Sequence, residues 1–468
     1  MQVVVLAAIM VALSLTQPSG GQAFWPLHAP GAGTPLALAG YVLGAVLLRR
    51  LATREALRAF ARLDRGQARS YRPAQALSLA ADVWLVAGQA LPLVLGYAHW
   101  VFQALALEPL PLVAALPMLA PYLAAQAAAW VMQYPFWRAT RARSVGPDMP
   151  TWSRGQYLAY SFRHNVLFVL APLSMVFLGG DGLGLAARAG WLSPTALALA
   201  LPGVWLVVFA CSPVLIVRVW RTRPLPAGPL RSKLEAACRR LKLRYRDIRL
   251  WQTGGVLANA GVMGLAGPLR YILVSDALLE NLSDEQVEAV FAHEAGHILF
   301  RHIPYCLLFG LCATAGALGL SALGALAMND YPPWLDLASL AALGGVFFGG
   351  FGYISRRFER QSDVFAAWSV GSAYAGVVDE LAITPQGAAI FASALERVGE
   401  LNGTPPRQYN WRHGSIAARI GYIIWLGSTG GTRRPIDRTV RGLKMALWLA
   451  GAIGAAVAAG LWSWGITL

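Results

Sequence analysis

One short run in the sequence can hold a metal ion: His293-Glu294-Ala295-Gly296-His297. Residues four apart on an α-helix lie one turn apart on nearly the same face, so both imidazoles can bind one ion. Zinc takes nitrogen and oxygen ligands in a tetrahedron, and a catalytic site leaves one position open for water. Glu294 follows the first histidine and can take a proton from that water. The run therefore predicts one zinc ion per chain, with Glu294 as the general base.

A third ligand must come from another segment. The run from Glu359 to Asp363 places two carboxylates at helical spacing on one face. We predict that Glu359 is the third ligand and that Asp363 accepts the outer N–H of a ligand histidine. The alternative is a solvated, charged helix start that follows a membrane exit.

Two further residues could act in catalysis, and one more histidine lies close to the metal motif. A protease needs a donor for the oxyanion of its tetrahedral intermediate, and His413 or Arg419 could supply it. The alternative is a turn histidine and an arginine that faces a lipid phosphate. His302 follows His297 by five residues, so on a continuous helix it points elsewhere, and a structural role is expected.

The amino-acid composition indicates the class of protein that carries this site. The 468 residues are 56% hydrophobic and 13% charged, whereas soluble domains carry about 25% charged residues. These values argue against an ordinary soluble enzyme, a disordered chain and a coiled coil, and they predict a multi-pass membrane protein. The four cysteines form neither a disulfide framework nor a paired metal motif.

Eight segments are apolar enough to predict membrane-spanning helices. They lie at about 35–49, 76–100, 110–134, 157–179, 194–218, 304–327, 333–354 and 444–466. The shorter apolar segment 2–15 either spans the membrane or is removed as a signal. Basic loops, such as 49–72 with its eight arginines, alternate with neutral or acidic loops. This alternation predicts that the basic loops are cytoplasmic, and it assigns the net charge of +16 to lipid anchoring and not to nucleic acid.

The predicted fold is a mainly α, multi-pass helical membrane protein with a split cytoplasmic α/β zinc-metallopeptidase domain of the gluzincin-like kind. Three short strands are expected at Ile248–Gln252, around Asn259–Gly264 and at Tyr271–Ser275. Ser283 and Gln286 predict a capping box that opens the metal-binding helix.

Five regions are expected along the chain. They are an N-terminal membrane region at 1–218, a first catalytic part with the metal helix at 219–303, a transmembrane hairpin at 304–354, a second catalytic part with the third ligand at 355–443, and a C-terminal span at 444–468.

Four elements, in order, resemble the integral-membrane zinc metallopeptidases that include type I CAAX prenyl proteases and HtpX proteases. NAGVMG at 259–264 resembles the family's N-A-x-x-x-G strand, and the segment 270–302 follows the family's strand, helix and metal-site sequence. SRRFERQSD at 355–363 is similar to its S-R-x-x-E-x-x-x-D element. HGSIAARI at 413–420 is similar to its H-P-S-x-x-x-R-I element, with Gly414 in place of the usual proline.

The resemblance implies zinc ligands and a general base at His293, His297, Glu359 and Glu294. It also implies that Asn259 and Ala260 lie on an edge strand that pairs with an extended substrate, and that His413 and Arg419 lie near the scissile bond. The five long spans before the metal helix are more typical of the prenyl protease layout than of HtpX-like chains.

We therefore expect a membrane-embedded zinc endopeptidase that hydrolyses membrane-associated or unfolded proteins at the cytoplasmic face, as a multi-pass protein of a bacterial inner membrane. Its expected partners are a protein or peptide substrate and membrane lipids, without nucleic acid, and its oligomeric state is left open. The alternatives are a CAAX-type prenyl-peptide protease and, in another class, a catalytically silent scaffold or transporter. Because Glu294, the expected general base, is present, the sequence argues against a catalytically silent protein. A transporter is expected to show paired broken helices.

Overall fold

The computed structural model describes residues 33–63, 72–107, 110–145, 150–327, 344–375 and 381–463, with isolated residues before position 33. The packing of the chain divides it into two compact units, Met1–Thr222 and Arg223–Leu468. Every candidate site residue lies in the second unit.

The first unit is helical over nearly all of its described length. Its helices are Gly33–Leu63, Arg72–Ala87, Ala90–Pro92, Leu93–Tyr97, Ala98–Ala104, Pro111–Met118, Ala120–Val145, Arg154–Ser161, Phe162–Leu167, Phe168–Arg188 and Pro194–Val219. Two short strands, Pro18–Ser19 and Gln22–Ala23, pair antiparallel. Five stretches are long and apolar enough to cross a membrane: 33–61, 73–104, 111–143, 154–188 and 194–219. They coincide with the five long spans predicted before the metal helix, whereas most of the predicted segment 2–15 lies outside the described residues.

Several polar groups within these apolar helices find partners inside the unit, as a low-dielectric surrounding favours. The Tyr41 hydroxyl donates to the carbonyl oxygen of Leu85 at 2.6 Å. The indole N–H of Trp84 donates to the carbonyl oxygen of Tyr41 at 2.9 Å. The buried Arg49 forms an ion pair with Asp82 on the next helix. These contacts lie between sequence-adjacent helices and fix how the helices pack.

The second unit contains a four-stranded sheet. The strands are β1 (Thr222–Pro224), β2 (Asp247–Trp251), β3 (Ala260–Met263) and β4 (Tyr271–Ser275), in the order β1-β2-β4-β3. Strand β2 is parallel to β4, and β3 is antiparallel to β4. The three predicted strands are confirmed, and β3 forms one edge of the sheet. Strand β1 was not predicted, because three residues are too short to show an alternating pattern.

Eight helices follow or flank this sheet in the described part of the second unit. They are α1 (Pro229–Arg240), α2 (Asp276–Asn281), α3 (Asp284–Leu299), α4 (His302–Ala327), α5 (Gly352–Ala375), α6 (Pro385–Leu401), α7 (Ile416–Ser428) and α8 (Arg434–Ser463). Short helical turns lie at Gly267–Leu269 and Phe347–Phe351. The predicted capping box opens α3, because Ser283 and Gln286 satisfy each other's backbone N–H groups.

Helix α3 ends before Phe300, and the chain bends by 49° into α4. By length and composition, α3 and the first part of α4 together could form a sixth membrane crossing. Such a bent pair would be either a broken span or a re-entrant loop. The predicted span 304–327 lies in α4. Of the predicted span 333–354, residues 333–343 lie outside the described residues. The predicted span 444–466 coincides with α8 from Lys444 to Ser463, and its last three residues lie outside the described part of the chain.

Helices α3 and α5 approach closely at Gly296. A β-carbon at this position would lie 3.1 Å from Ser362 Oγ and 3.2 Å from Ser362 Cα. The missing side chain therefore lets the backbone of α5 lie against α3 between the two histidines. Buried apolar residues fill the space around this contact, among them Phe358, Val364 and Phe391. This packing brings the third candidate ligand within reach of the helix that carries the first two.

Candidate active site

Two histidines and one glutamate converge between α3 and α5. His293 Nε2 lies 3.2 Å from His297 Nε2 and 3.5 Å from Glu359 Oε2, and His297 Nε2 lies 3.7 Å from Glu359 Oε1. Ligands about 2.05 Å from a tetrahedral zinc ion are about 3.3 Å from one another. With the nearer Glu359 oxygen taken for each histidine, the donors have about the spacing of one face of a zinc tetrahedron. The donor set of two imidazoles and a carboxylate suits this metal.

Charge in this cluster is set by burial and by close partners. Burial lowers the pKa of His297 to about 4, which keeps that imidazole neutral with a lone pair to donate. Burial also acts to lower the pKa of His293, but contacts with Asp363 and Glu359 outweigh it and raise the pKa to about 10. Burial acts to raise the pKa of Glu359, yet hydrogen bonds from His293 and His413 hold it well below its usual range. A metal bound at His293 therefore has to displace a proton.

Glu294 stands beside this cluster and faces the same cavity. The cavity has a volume of about 400 Å³ and is lined by His293, Glu294, His297 and Glu359, among others. Burial raises the pKa of Glu294 to about 7. A carboxyl with a pKa near neutral exists in both protonation states at physiological pH, as a general base that later acts as an acid requires. The arrangement can thus move a proton next to the donor triangle.

Strand β3 forms one wall of this cavity. Asn259 is exposed just before the strand and lines the cavity together with Val262, while Ala260 is buried and pairs with Val274 of β4. Asn402 at the end of α6 fixes the start of the strand, because its amide donates to the Ala258 carbonyl at 2.7 Å and accepts from the Ala258 N–H at 3.1 Å. The open edge of β3 therefore lies along the cavity in a fixed position.

Residues 224–398 match the profile of peptidase family M48. They carry an M48 peptidase domain. The resemblance drawn from the sequence motifs is confirmed over this segment, which includes both histidines, Glu294, Glu359 and Asp363. His413 and Arg419 lie beyond the matched residues.

Two curated relatives extend the comparison. A protease HtpX homologue of Aeropyrum pernix is 30% identical over 223 residues, which are 47% of this chain and 59% of that protein. A CAAX prenyl protease 1 homologue of Arabidopsis thaliana is 29% identical over 106 residues, which are 22% of this chain and 25% of that protein. The chain therefore matches less than two thirds of the length of each relative.

The fold of most of the chain resembles that of a solved structure. The crystal structure of S. mikatae Ste24p superposes with a TM-score of 0.51 at 13% identity, and the match covers 85% of this chain and all of that one. At this identity the likeness concerns the fold alone. Together with the five candidate spans, it shows that the chain is a mainly helical, multi-pass membrane protein that carries an M48 domain.

Arg419 and His413 contact the carboxylates that surround the donor triangle. Arg419 donates to Asp363 through Nε at 2.8 Å and Nη2 at 2.6 Å, and Nη2 lies 3.3 Å from Glu359. His413 Nδ1 lies 2.9 Å from Glu359 Oε1. Asp363 Oδ1 lies 3.0 Å from His293 Nδ1, where we expected a carboxylate on the outer nitrogen of a ligand histidine. The charged side chains thus form one network, whose roles in catalysis stay predictions.

The turn before α7 presents His413 to this network. Gly414 has φ +77°, a left-handed conformation that proline cannot adopt. The backbone N–H of Gly414 donates to the Asn410 carbonyl at 2.8 Å, and the Asn410 side chain accepts from the N–H of Arg412. This backbone conformation excludes a proline at position 414, and from this turn His413 reaches Glu359.

His302 lies against His297, which differs from the expectation that it points elsewhere. That expectation assumed a continuous helix, but Arg301 has φ +54° and the chain bends by 49° between α3 and α4. His302 is 2% exposed, its Nδ1 lies 2.9 Å from His297 Nδ1, and its ring stacks on Phe358. A residue that we assigned to structure alone therefore contacts the outer nitrogen of a candidate ligand.

The hydrogen bonds that His302 forms determine which ring nitrogen of His297 carries the proton. Gln361 donates its amide to Asp437 at 2.6 Å, so its oxygen accepts from His302 Nε2 at 3.0 Å. His302 Nδ1 then carries the lone pair and accepts from the N–H of His297 Nδ1. This leaves the lone pair of His297 on Nε2, the atom in the donor triangle.

Substitution of His302 tests this relay through metal affinity. We expect His302→Phe, which keeps a ring against Phe358 but removes the acceptor, to weaken zinc binding about 10- to 100-fold. His302→Asn places an acceptor near the position of Nδ1 and is expected to restore most of the affinity. Competition with a chelator of known affinity measures both. Wild-type zinc affinity in folded His302→Phe would show that the relay has no influence on the ligand.

Two other contributors to the site carried no recognisable signal in the sequence. Gly296 permits the close approach of α5, and Asn402 fixes the start of β3 from a position more than 140 residues away. The glycine lies inside the metal motif at a variable position, and a single asparagine at a helix end has many uses. Only the tertiary contacts reveal what these two residues do.

Proposed function

We propose that this protein is a zinc-dependent endopeptidase that hydrolyses membrane-associated or unfolded proteins at the cytoplasmic face of a membrane. The main support is the triangle of His293, His297 and Glu359 at tetrahedral spacing, with Glu294 beside it in the same cavity. The M48 domain supports the hydrolase class. Because the curated relatives are matched only in part, substrate and activity stand as proposals.

The proposed roles follow from contacts of this chain's own residues. A bound zinc ion would supply Lewis acidity toward the scissile carbonyl and the attacking water. Glu294 takes the proton of that water and delivers it to the leaving amine. Asn259 and the edge of β3 hold the substrate backbone in an extended conformation. His413 and Arg419 line the same cavity, where a cationic side chain would stabilise the oxyanion.

A transition-state role for His413 makes one chemical demand. Its Nδ1 already lies against Glu359, so Nε2 is the nitrogen that faces the substrate. An imidazole donates from both nitrogens only when it is protonated. His413 would therefore act as an imidazolium whose charge is balanced by Glu359.

A CAAX-type prenyl-peptide protease is the second candidate. The local match to the CAAX prenyl protease 1 homologue of Arabidopsis thaliana favours it. A catalytically silent scaffold or transporter is the rival from another class, and the complete donor set with Glu294 argues against it.

Cleavage of matched peptides separates these candidates. Purified, zinc-loaded protein is given one unstructured reporter peptide in two forms, with and without a prenylated cysteine near its carboxyl end. Comparable kcat/KM for both forms supports the first proposal. Cleavage that requires the prenyl group supports the second candidate, and failure to cleave either form, with Glu294→Gln as the blank, supports the silent rival.

The orientation and location are part of the proposal. The basic loops support a cytoplasmic site, and we propose a bacterial inner membrane as the location. A reporter fused after Lys444 or within 56–70 is expected to read cytoplasmic, whereas one at Asp330 is expected to read on the opposite side. Asp330 on the cytoplasmic side would contradict the predicted hairpin at 304–354 and with it the split catalytic domain.

A further inference from the structure

A second cavity, of about 570 Å³, adjoins the catalytic one and is lined with cations. Lys242 and Arg244 come from the segment after α1, Arg270 precedes β4, and Arg301 lies between α3 and α4. No aspartate or glutamate lines this basic pocket. Within the described part of the chain, none of its four cations forms an ion pair with a carboxylate. The pocket therefore presents a positive charge of about four at neutral pH without an internal counter-ion.

Hydrogen bonds hold the wall of the basic pocket in place. The guanidinium of Arg270 donates to the carbonyl oxygens of Arg244 at 2.8 Å and Gly264 at 3.3 Å, and also to that of Leu265. It thereby joins the segment after α1 to the loop after β3. These carbonyl groups satisfy three of its five N–H groups and leave its charge unneutralised. Lys242, Arg244 and Arg301 are exposed and free to turn toward a ligand.

The basic pocket continues the catalytic cavity along the edge strand. His297, Ile298 and Ile303 line both cavities. Asn259 and Val262 line the catalytic cavity, whereas Gly264 and Leu265, the next residues along this chain segment, line the basic pocket. At about 3.3 Å per residue, two or three residues separate the two by about 7–10 Å. A peptide extended along β3 would therefore pass from one cavity into the other.

We propose that the basic pocket is a substrate subsite that takes a carboxylate two or three residues from the scissile bond. The carboxylate is that of an aspartate or glutamate side chain or of the peptide's own carboxyl terminus. Arginine binds a carboxylate through two parallel hydrogen bonds, and the pocket offers several such donors. This inference rests on the proposed peptidase function. A peptide is favoured over a lipid phosphate because the shared wall includes the candidate ligand His297.

Binding to an inactive variant tests the subsite without cleavage. The full-length, zinc-loaded Glu294→Gln protein in neutral detergent is titrated with fluorescent peptides in which one glutamate replaces glutamine at successive positions. A second pair of peptides differs only in a free or amidated carboxyl terminus. We expect one glutamate position, or the free terminus, to tighten Kd by about tenfold, and the gain to shrink at high salt.

Charge substitutions in the basic pocket test whether its cations cause the preference for a carboxylate. Lys242→Gln/Arg244→Gln is expected to remove the preference, and Lys242→Glu/Arg244→Glu to shift it toward a lysine-containing peptide. Arg239→Gln/Arg246→Gln changes the net charge equally at exposed positions outside the pocket, and it is expected to keep the preference.

Three outcomes would overturn the subsite: equal affinity for all peptides, no peptide binding, or a preference that survives in the pocket variants. If the pocket variants bind more weakly to vesicles rich in phosphatidylglycerol but bind the peptides as the unsubstituted protein does, the pocket would instead be assigned to a lipid headgroup. Cleavage by the wild-type protein without charge preference refutes the subsite alone. Charge-selective binding without any cleavage refutes the peptidase function alone.

Discussion

Glu294→Gln is expected to lower peptide hydrolysis by about 10²- to 10⁴-fold, the usual contribution of a general base, while zinc content stays at one ion per chain. The amide keeps the size of the side chain but cannot take a proton. Glu294 is not one of the three clustered donors, so the ligand set stays intact. Turnover of a reporter peptide and metal content, measured on the same folded sample, check both parts.

A second glutamate on α3 provides the control for this substitution. Glu285 lies in the first turn of the same helix, away from the cavity, and Glu285→Gln is expected to keep wild-type turnover. Near wild-type hydrolysis by folded, zinc-loaded Glu294→Gln would exclude Glu294 as the base. Loss of zinc from that variant would instead mean that Glu294 contributes to metal binding.

Glu359→Ala is expected to lose both stoichiometric zinc and hydrolysis. The substitution removes one corner of the donor triangle and leaves two histidines that are four residues apart. It also leaves His413 and Arg419 without a carboxylate that they contact. Removal of one partner from a buried ion pair costs about 3–5 kcal/mol, so the free energy of unfolding is expected to fall as well.

Metal content per folded chain separates the ligand role from this loss of stability. Glu359→Gln keeps the shape of the side chain and is expected to retain more folded protein, yet to bind zinc more weakly than the wild type. Glu396→Gln, at an exposed position on α6, is the matched control and is expected to change neither quantity. Stoichiometric zinc in folded Glu359→Ala would exclude Glu359 as a ligand.

The sequence alone was sufficient to predict the features that depend on the spacing of neighbouring residues along the chain. The i, i+4 histidines, the capping box at Ser283 and the strands on either side of Gly264 follow from helical periodicity, capping chemistry and short apolar runs. Five spans followed from hydropathy in the same way. Such patterns need only neighbours along the chain, so a single sequence contains them.

The remaining features of the site depend on contacts between segments that are far apart in the sequence. The relay from His297 through His302 and Gln361 depends on the bend at Arg301, and no residue type at that position announces a left-handed backbone conformation. Sequence placed His413 and Arg419 at the site, but not their contacts with Glu359 and Asp363. Those contacts depend on how α7 packs against α5, which the sequence pattern does not specify.

Metal removal and return test the central claim most directly. Purified full-length protein is analysed for zinc and for hydrolysis of an unstructured peptide, then stripped with a chelator and titrated with zinc. We expect one zinc per chain, no hydrolysis after stripping, and recovery of hydrolysis that saturates at one equivalent of zinc. Undiminished hydrolysis by the metal-free protein, or a stoichiometric zinc complex that cleaves no peptide, would contradict that claim.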